Sequence, residues 1–237
     1  MTLLAVGHGT RDPAGVATIR ALLDRVRALR PGLTVAESYA EITEPSLEDV
    51  MARLAATGPA GPLVAVPLML GRGHHSSADI PGRIGRRAAV APPLGPHALL
   101  ARALADRLGD AHPADAFVLG AAGTSDPSGM ADVRAAARLL GRHLGRPVAY
   151  GFAASAGPAL PDVVRDLRRR GARRVAIASY LLAPGFFHRR VLSAGADLVS
   201  PPIGVHDALA RLILRRYDET AEASDNGKTR QSAYSSA

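Results

Sequence analysis

Apolar and polar positions along the chain alternate between short apolar runs and longer stretches with helical spacing. Residues 3–7 form an apolar run that breaks into a Gly/Pro/Asp loop, the pattern of a strand and its turn. Residues 16–29 follow, with Ile19, Leu22, Leu23, Val26 and Leu29 recurring on one helical face. Residues 34–40 predict a second strand. Pro45-Ser46-Leu47-Glu48 opens a second helix that runs to about Ala56, with Ser46 near its start. Residues 63–70 are apolar throughout, as expected of a strand buried on both faces. A helix over 80–87, a fourth strand over 88–94 and a helix over 98–108 complete the set. Strands alternating with helices imply parallel pairing through right-handed crossovers.

The pattern then repeats. Gly9-Thr10-Arg11-Asp12-Pro13-Ala14-Gly15 returns as Gly123-Thr124-Ser125-Asp126-Pro127-Ser128-Gly129. Pro92-Pro93-Leu94-Gly95-Pro96-His97 returns as Pro201-Pro202-Ile203-Gly204-Val205-His206. The expected fold class is therefore α/β, with two duplicated open parallel-sheet lobes of Rossmann-like build facing a cleft. The lobes are expected at residues 1–112 and 113–217, joined by a short linker at 109–115. From Asp218 the chain turns polar, and residues 218–237 predict a disordered tail.

Open parallel sheets bind ligands beyond the carboxyl ends of their strands. Three polar residues fall there in the first lobe: His8 after strand one, Glu41 after strand two, and His75, with its neighbour His74, after strand three. Two imidazoles with a carboxylate suit a borderline divalent cation and proton transfer near neutral pH. The second repeat is an internal control. Aligning Gly9 with Gly123 puts Ala122 opposite His8. Aligning Pro45 with Pro158 puts Ala154 opposite Glu41, and aligning Leu70 with Leu182 puts Phe187 opposite His75. All three candidates become apolar in the other copy, whereas His97 and His206 persist in both and read as structural. Asp12 and Asp126, also in both copies, read as turn residues that satisfy backbone N–H groups.

Composition narrows the chemistry. The 237 residues contain no cysteine, so thiolate nucleophiles, disulfides and Cys-held metals are excluded, and any metal must be held by His or oxygen ligands. The formal charge of +8 is carried by arginine, Lys228 being the one lysine. No compact basic run interleaved with aromatics is present, so no nucleic-acid partner is expected and a small polyanion fits better. The first residues lack a basic region followed by a signal core. No apolar stretch is long enough to span a bilayer, so no membrane partner is expected and the location is expected to be cytoplasmic.

With these residues in place, the chain resembles the sirohydrochlorin chelatase family, the small class II chelatases. The resemblance is carried by Gly7-His8-Gly9-Thr10-Arg11, by Glu41 followed by Pro45-Ser46-Leu47, by Val66-Pro67-Leu68-Met69-Leu70 leading to His75, by Asp79-Ile80-Pro81, and by the Pro-Leu-Gly segment ending at His97. It implies ATP-independent insertion of Fe²⁺ or Co²⁺, as substrate metal, into sirohydrochlorin, with no permanent cofactor. It implies that His8 and His75 handle the metal, with Glu41 orienting a histidine or relaying protons. His75 is preferred to His74 because it lies four residues before the Asp of the Asp-Ile-Pro motif. Arg11, Arg72, Arg189 and Arg190, in the expected cleft loops, are candidates to pair with the tetrapyrrole's carboxylates. His188 is an extra histidine in the second copy, and Phe186-Phe187 a candidate cleft wall. With both lobes in one chain, a monomer suffices to form the cleft. Two other functions compete. A histidine phosphatase would need an Arg before the His-Gly pair, where Gly7 stands. A non-catalytic metal or tetrapyrrole carrier would use the same cleft.

Overall fold

The computed structural model describes residues 1–58, 61–109, 114–154 and 157–235. Residues 110–113 of the expected linker lie outside them. The first repeat folds as β1 (Thr2–Gly7), α1 (Pro13–Leu29), β2 (Thr34–Tyr39), α2 (Leu47–Thr57), β3 (Leu63–Pro67), one π-helical turn (His75–Asp79), α3 (Ile80–Ile84), β4 (Ala89–Val90) and α4 (Ala98–Leu108). The second folds as β5 (Ala116–Ala121), α5 (Pro127–Leu144), β6 (Val148–Phe152), α6 (Leu160–Arg169), β7 (Val175–Tyr180), α7 (Phe186–Leu192), β8 (Leu198–Val199) and α8 (Asp207–Ser235). Each repeat gives a four-stranded parallel sheet, in the orders β2-β1-β3-β4 and β6-β5-β7-β8.

Local chemistry explains where the elements begin and end. Asp12 and Asp126 cap α1 and α5 by accepting from the N–H groups of Ala14 and Ser128, each with a proline at the first helical position. Ser46 caps α2 through the Asp49 N–H at 3.1 Å. The fourth strand is shorter than expected, ending at Val90 before Pro92-Pro93, which have no N–H to offer a ladder. The helix expected over 80–87 stops at Ile84, because Gly85 takes φ 57° and turns the chain into a short 3₁₀ segment.

The repeats are not the packing units. Helix α4, which ends the first repeat, packs on α5 and β7 of the second, and α8, which ends the second, packs on α1, β3 and β4 of the first. The exchange is pinned by polar contacts. Arg25 holds Asp207 in a bidentate pair at 2.6 and 2.7 Å, and Arg107 donates to the carbonyls of Ile203 and Val205. One apolar core accordingly runs through both halves, from Leu3, Leu22 and Val66 to Leu119, Leu140 and Ile213. Two smaller cores lie on the outer faces, under α2 and α3 on one side and under α6 and α7 on the other. Part of the stretch expected as a tail continues α8, which runs on past Asp218. There Asp218 pairs with Arg30 at 2.6 Å and Ala221 packs against the core, so this stretch has partners that its polar composition conceals.

Candidate metal and macrocycle site

The carboxyl ends of β1 and β2 are locked to each other before any functional side chain is placed. Glu41 N–H donates to the His8 carbonyl at 2.9 Å. Thr10 N–H donates to the Thr43 hydroxyl at 2.8 Å, and that hydroxyl donates back to the Thr10 carbonyl at 2.9 Å. Gly9 sits at φ 104° against the Glu41 carbonyl, where a β-carbon would collide with it. Between Glu41 and Thr43, Ile42 holds φ 65°, a conformation that costs an L-residue roughly 1–2 kcal/mol. The second copy makes the equivalent backbone bond, Ala154 N–H to the Ala122 carbonyl, which pairs His8 with Ala122 and Glu41 with Ala154 in space as in sequence.

His75 comes in from the π turn after β3. Its ring meets the His8 ring edge to face at 4.5 Å between centroids, and its Nε2 lies 3.7 Å from Glu41 Oε1. The ligand atoms of His8, Glu41 and His75 all lie within 4.8 Å of one another, the one such group of His and carboxylate side chains among the described residues. Two imidazoles and a carboxylate this close could each offer a cation one ligand atom and leave its other positions to water or a substrate. These donors suit Fe²⁺, Co²⁺, Ni²⁺ or Zn²⁺.

Behind His75 stands a side-chain relay that sequence reasoning missed. Asp79 Oδ2 lies 3.1 Å from His75 Nδ1, and Arg83 reaches the same carboxylate at 3.3 Å. Burial pushes the Asp79 carboxyl up, but the His75 hydrogen bond and the Arg83 guanidinium together hold it below the usual carboxylate range. Arg83 is itself fixed by Glu48 and by the Ala40 carbonyl. The signal was the four-residue spacing of His75, Asp79 and Arg83, which helical winding places on one face.

His8 and His75 open onto a cavity of about 410 Å³ lined by both halves. His8 and the 68–76 segment come from the first half; Ala122, Thr124, Tyr180, Leu182 and Phe187 come from the second. Its wall is mostly apolar on the second side, as the replacement of His8 and His75 by Ala122 and Phe187 requires. A single family model, that of CbiX, matches the chain twice, over residues 2–111 and 116–220. The chain belongs to the CbiX family. The two matches fall on the two sequence repeats.

Relatives of this CbiX chain agree with the assignment. It is 28% identical over 244 residues to the sirohydrochlorin ferrochelatase of Bacillus subtilis, covering 94% of this chain and 93% of that one. It is 34% identical over 80 residues to a sirohydrochlorin cobaltochelatase of Methanosarcina acetivorans, a match that spans 34% of this chain and 61% of that protein. The solved structure of SirB from Bacillus subtilis with Fe³⁺ superposes with a TM-score of 0.80 at 28% identity, covering 95% and 97% of the two chains.

The expected arginine anchors of this CbiX chain are placed differently from one another. Arg72 lines the cavity, but its guanidinium grips the buried Asp132 of the other half at 2.6 and 3.0 Å, and its backbone N–H donates to the same carboxylate. Arg189 pairs with Asp12 across the halves at 2.8 Å. Arg11 lines a separate groove along α1, away from the cavity. Arg190 lies over the Phe186 ring, 5.6 Å from its centroid. Two of the four therefore tie the halves together, for which the sequence offered no sign because Asp132 reads as an ordinary helix-surface acid. His74 is exposed on the cavity rim, its ring 5.7 Å from that of His75. His188 does not line the cavity; its Nε2 is buried without a hydrogen-bond partner, and burial lowers its pKa. Phe187 does line it, next to an exposed Phe186.

Proposed function

We propose that this chain inserts a divalent metal, Fe²⁺ or Co²⁺, into sirohydrochlorin without ATP, as a sirohydrochlorin chelatase of siroheme or cobalamin synthesis. The observation that carries the reading is the convergence of His8, Glu41 and His75, two of which, His8 and His75, line a cavity with an apolar far wall. Insertion requires the cation to shed water and two pyrrole protons to leave. In this reading His8 and His75 hold the cation through one ring nitrogen each, and Glu41 completes the set or takes a departing proton. The wall of Phe187, Leu182 and Ala122 receives the flat apolar body of the macrocycle. Of the four arginines named from sequence, Arg72 alone lines the cavity and would first have to leave Asp132 to meet a peripheral carboxylate; Arg189 would have to leave Asp12.

A histidine phosphatase is disfavoured by the environment of His8: Gly7 precedes it, and a carboxylate and a second imidazole occupy the space where phosphate would need cations. Absorption spectroscopy of sirohydrochlorin with Fe²⁺ or Co²⁺ tests the proposal. Metal insertion should outrun the protein-free control, and His8→Ala and His75→Ala should each lose about 100-fold or more in rate while keeping the wild-type fold. Equal rates with and without protein for both metals would leave the carrier reading in its place. Comparing initial rates with the two metals addresses which one is used.

A further inference from the structure

We propose that Asp79, held by Arg83, is a positioning residue that fixes which nitrogen of His75 faces the metal. The metal part of this inference rests on the proposed chelatase reading. An ionised carboxylate has no hydrogen to donate, so the 3.1 Å contact with His75 Nδ1 requires that nitrogen to carry the proton. When the ring is neutral, the lone pair is then left on Nε2, which lies 3.7 Å from Glu41 Oε1. The opposite tautomer would set two acceptors against each other at Nδ1 and turn a proton toward the cation.

Arg83 extends the device to the neighbouring strand. Its Nη1 serves both Asp79 at 3.3 Å and the Ala40 carbonyl at 2.9 Å, one residue before Glu41. Its Nε and Nη2 are taken by Glu48 at 2.8 and 2.7 Å. A single guanidinium thus joins the backbone that presents Glu41 to the carboxylate that orients His75. Lateral freedom of one ligand relative to the other is removed without either side chain being touched directly.

The second repeat supports a role tied to the site rather than to the fold. Phe187 stands opposite His75, and the strand registers put Leu198 opposite Ala89. The counterpart of Asp79 therefore falls within residues 188–191 and that of Arg83 within 192–195. The first stretch is His-Arg-Arg-Val and contains no acid; the second is Leu-Ser-Ala-Gly and contains no arginine. Glu48 is matched by Pro161. The lobe without ligands also lacks the whole relay, although it builds the same sheet.

Heteronuclear NMR of the histidine rings, on metal-free protein at mildly alkaline pH, tests the tautomer directly. The wild type should show a protonated Nδ1 and a bare Nε2 at His75. Asp79→Ala should lose that preference, and Asp79→Asn, which keeps an acceptor oxygen, should restore it. Titration with Co²⁺ alone should show about 10–100-fold weaker binding for Asp79→Ala, and kcat should fall with KM for the tetrapyrrole nearly constant. A wild-type His75 with its lone pair on Nδ1 overturns the proposal and needs no variant to fold. So does an Asp79→Ala protein whose tautomer and Co²⁺ affinity are both unchanged. A wild type with the expected tautomer that inserts no metal would instead overturn the chelatase reading and leave the tautomer assignment standing.

Discussion

At the scale of single residues, His97 and His206 show how a repeated histidine differs from a functional one. Each accepts a backbone N–H through Nδ1, from Leu99 and Ala208, and so caps a helix. This fits their reading as structural and supplies the reason: the capping nitrogen must keep its lone pair, so the cap works only with a neutral ring. Burial, with Arg216 and Arg215 nearby, lowers the His97 pKa. The unfolded chain then binds more protons than the folded one, so stability is full above the free-imidazole range near pH 6.5 and is lost as pH falls toward the lowered folded value. His188 adds a slope of the same sign. His97→Asn, which keeps a capping oxygen but no titration, should flatten the fall in Tm between about pH 8 and 5. His8, Glu41 and His75 were legible because they sit at strand ends in one copy and vanish in the other. Asp79 and Arg83 were less legible: their four-residue spacing from His75 is a signal, but an acid and an arginine on a short helix are ordinarily solvated surface.

Among the elements, the helices that enter the junction carry a constraint that helix propensity hides. Gly15 and Gly129 occupy the same place in α1 and α5. A β-carbon on Gly15 would stand 2.7 Å from the Pro184 carbonyl oxygen, and one on Gly129 would run into the Arg72 carbonyl. Each half thus presses a loop carbonyl onto a helical glycine of the other. Glycine to alanine inside an exposed helix ordinarily gains about 1 kcal/mol. Gly129→Ala should do the reverse, lowering stability by about 1–3 kcal/mol as the loop at Arg72 is displaced, measurable as a lower urea midpoint with unchanged slope. The sequence showed both glycines within the repeated motif, yet their purpose lies between elements distant in the chain. The strand and helix order, by contrast, was readable almost throughout, since apolar period and turn residues are local properties.

For the whole molecule, the duplication was legible and the packing units were not. Two copies of one pattern suggest two self-contained lobes, but α4 and α8 each complete the other half's core. Nothing in a helix's own periodicity says which sheet it will cover. Residues 1–112 alone should therefore fail to give dispersed NMR spectra, because α4 would lack α5 and the sheet would lack α8. Coexpression with residues 113–237 should restore a complex that elutes at the size of the intact chain. Independent folding of either fragment would contradict the exchange.

The exchange also orders events during synthesis. Helix α8 follows every other described element in the chain, yet α1, β3 and β4 pack against it. The half that is translated first is thus finished last, after its companion already has α4 in place. His8, Glu41 and His75 all hang from that half, so a nascent chain carries the three ligands without the frame that holds them together. A chain cut before α8 should accordingly bind Co²⁺ more weakly than the intact chain, although every one of the three ligands is present in it.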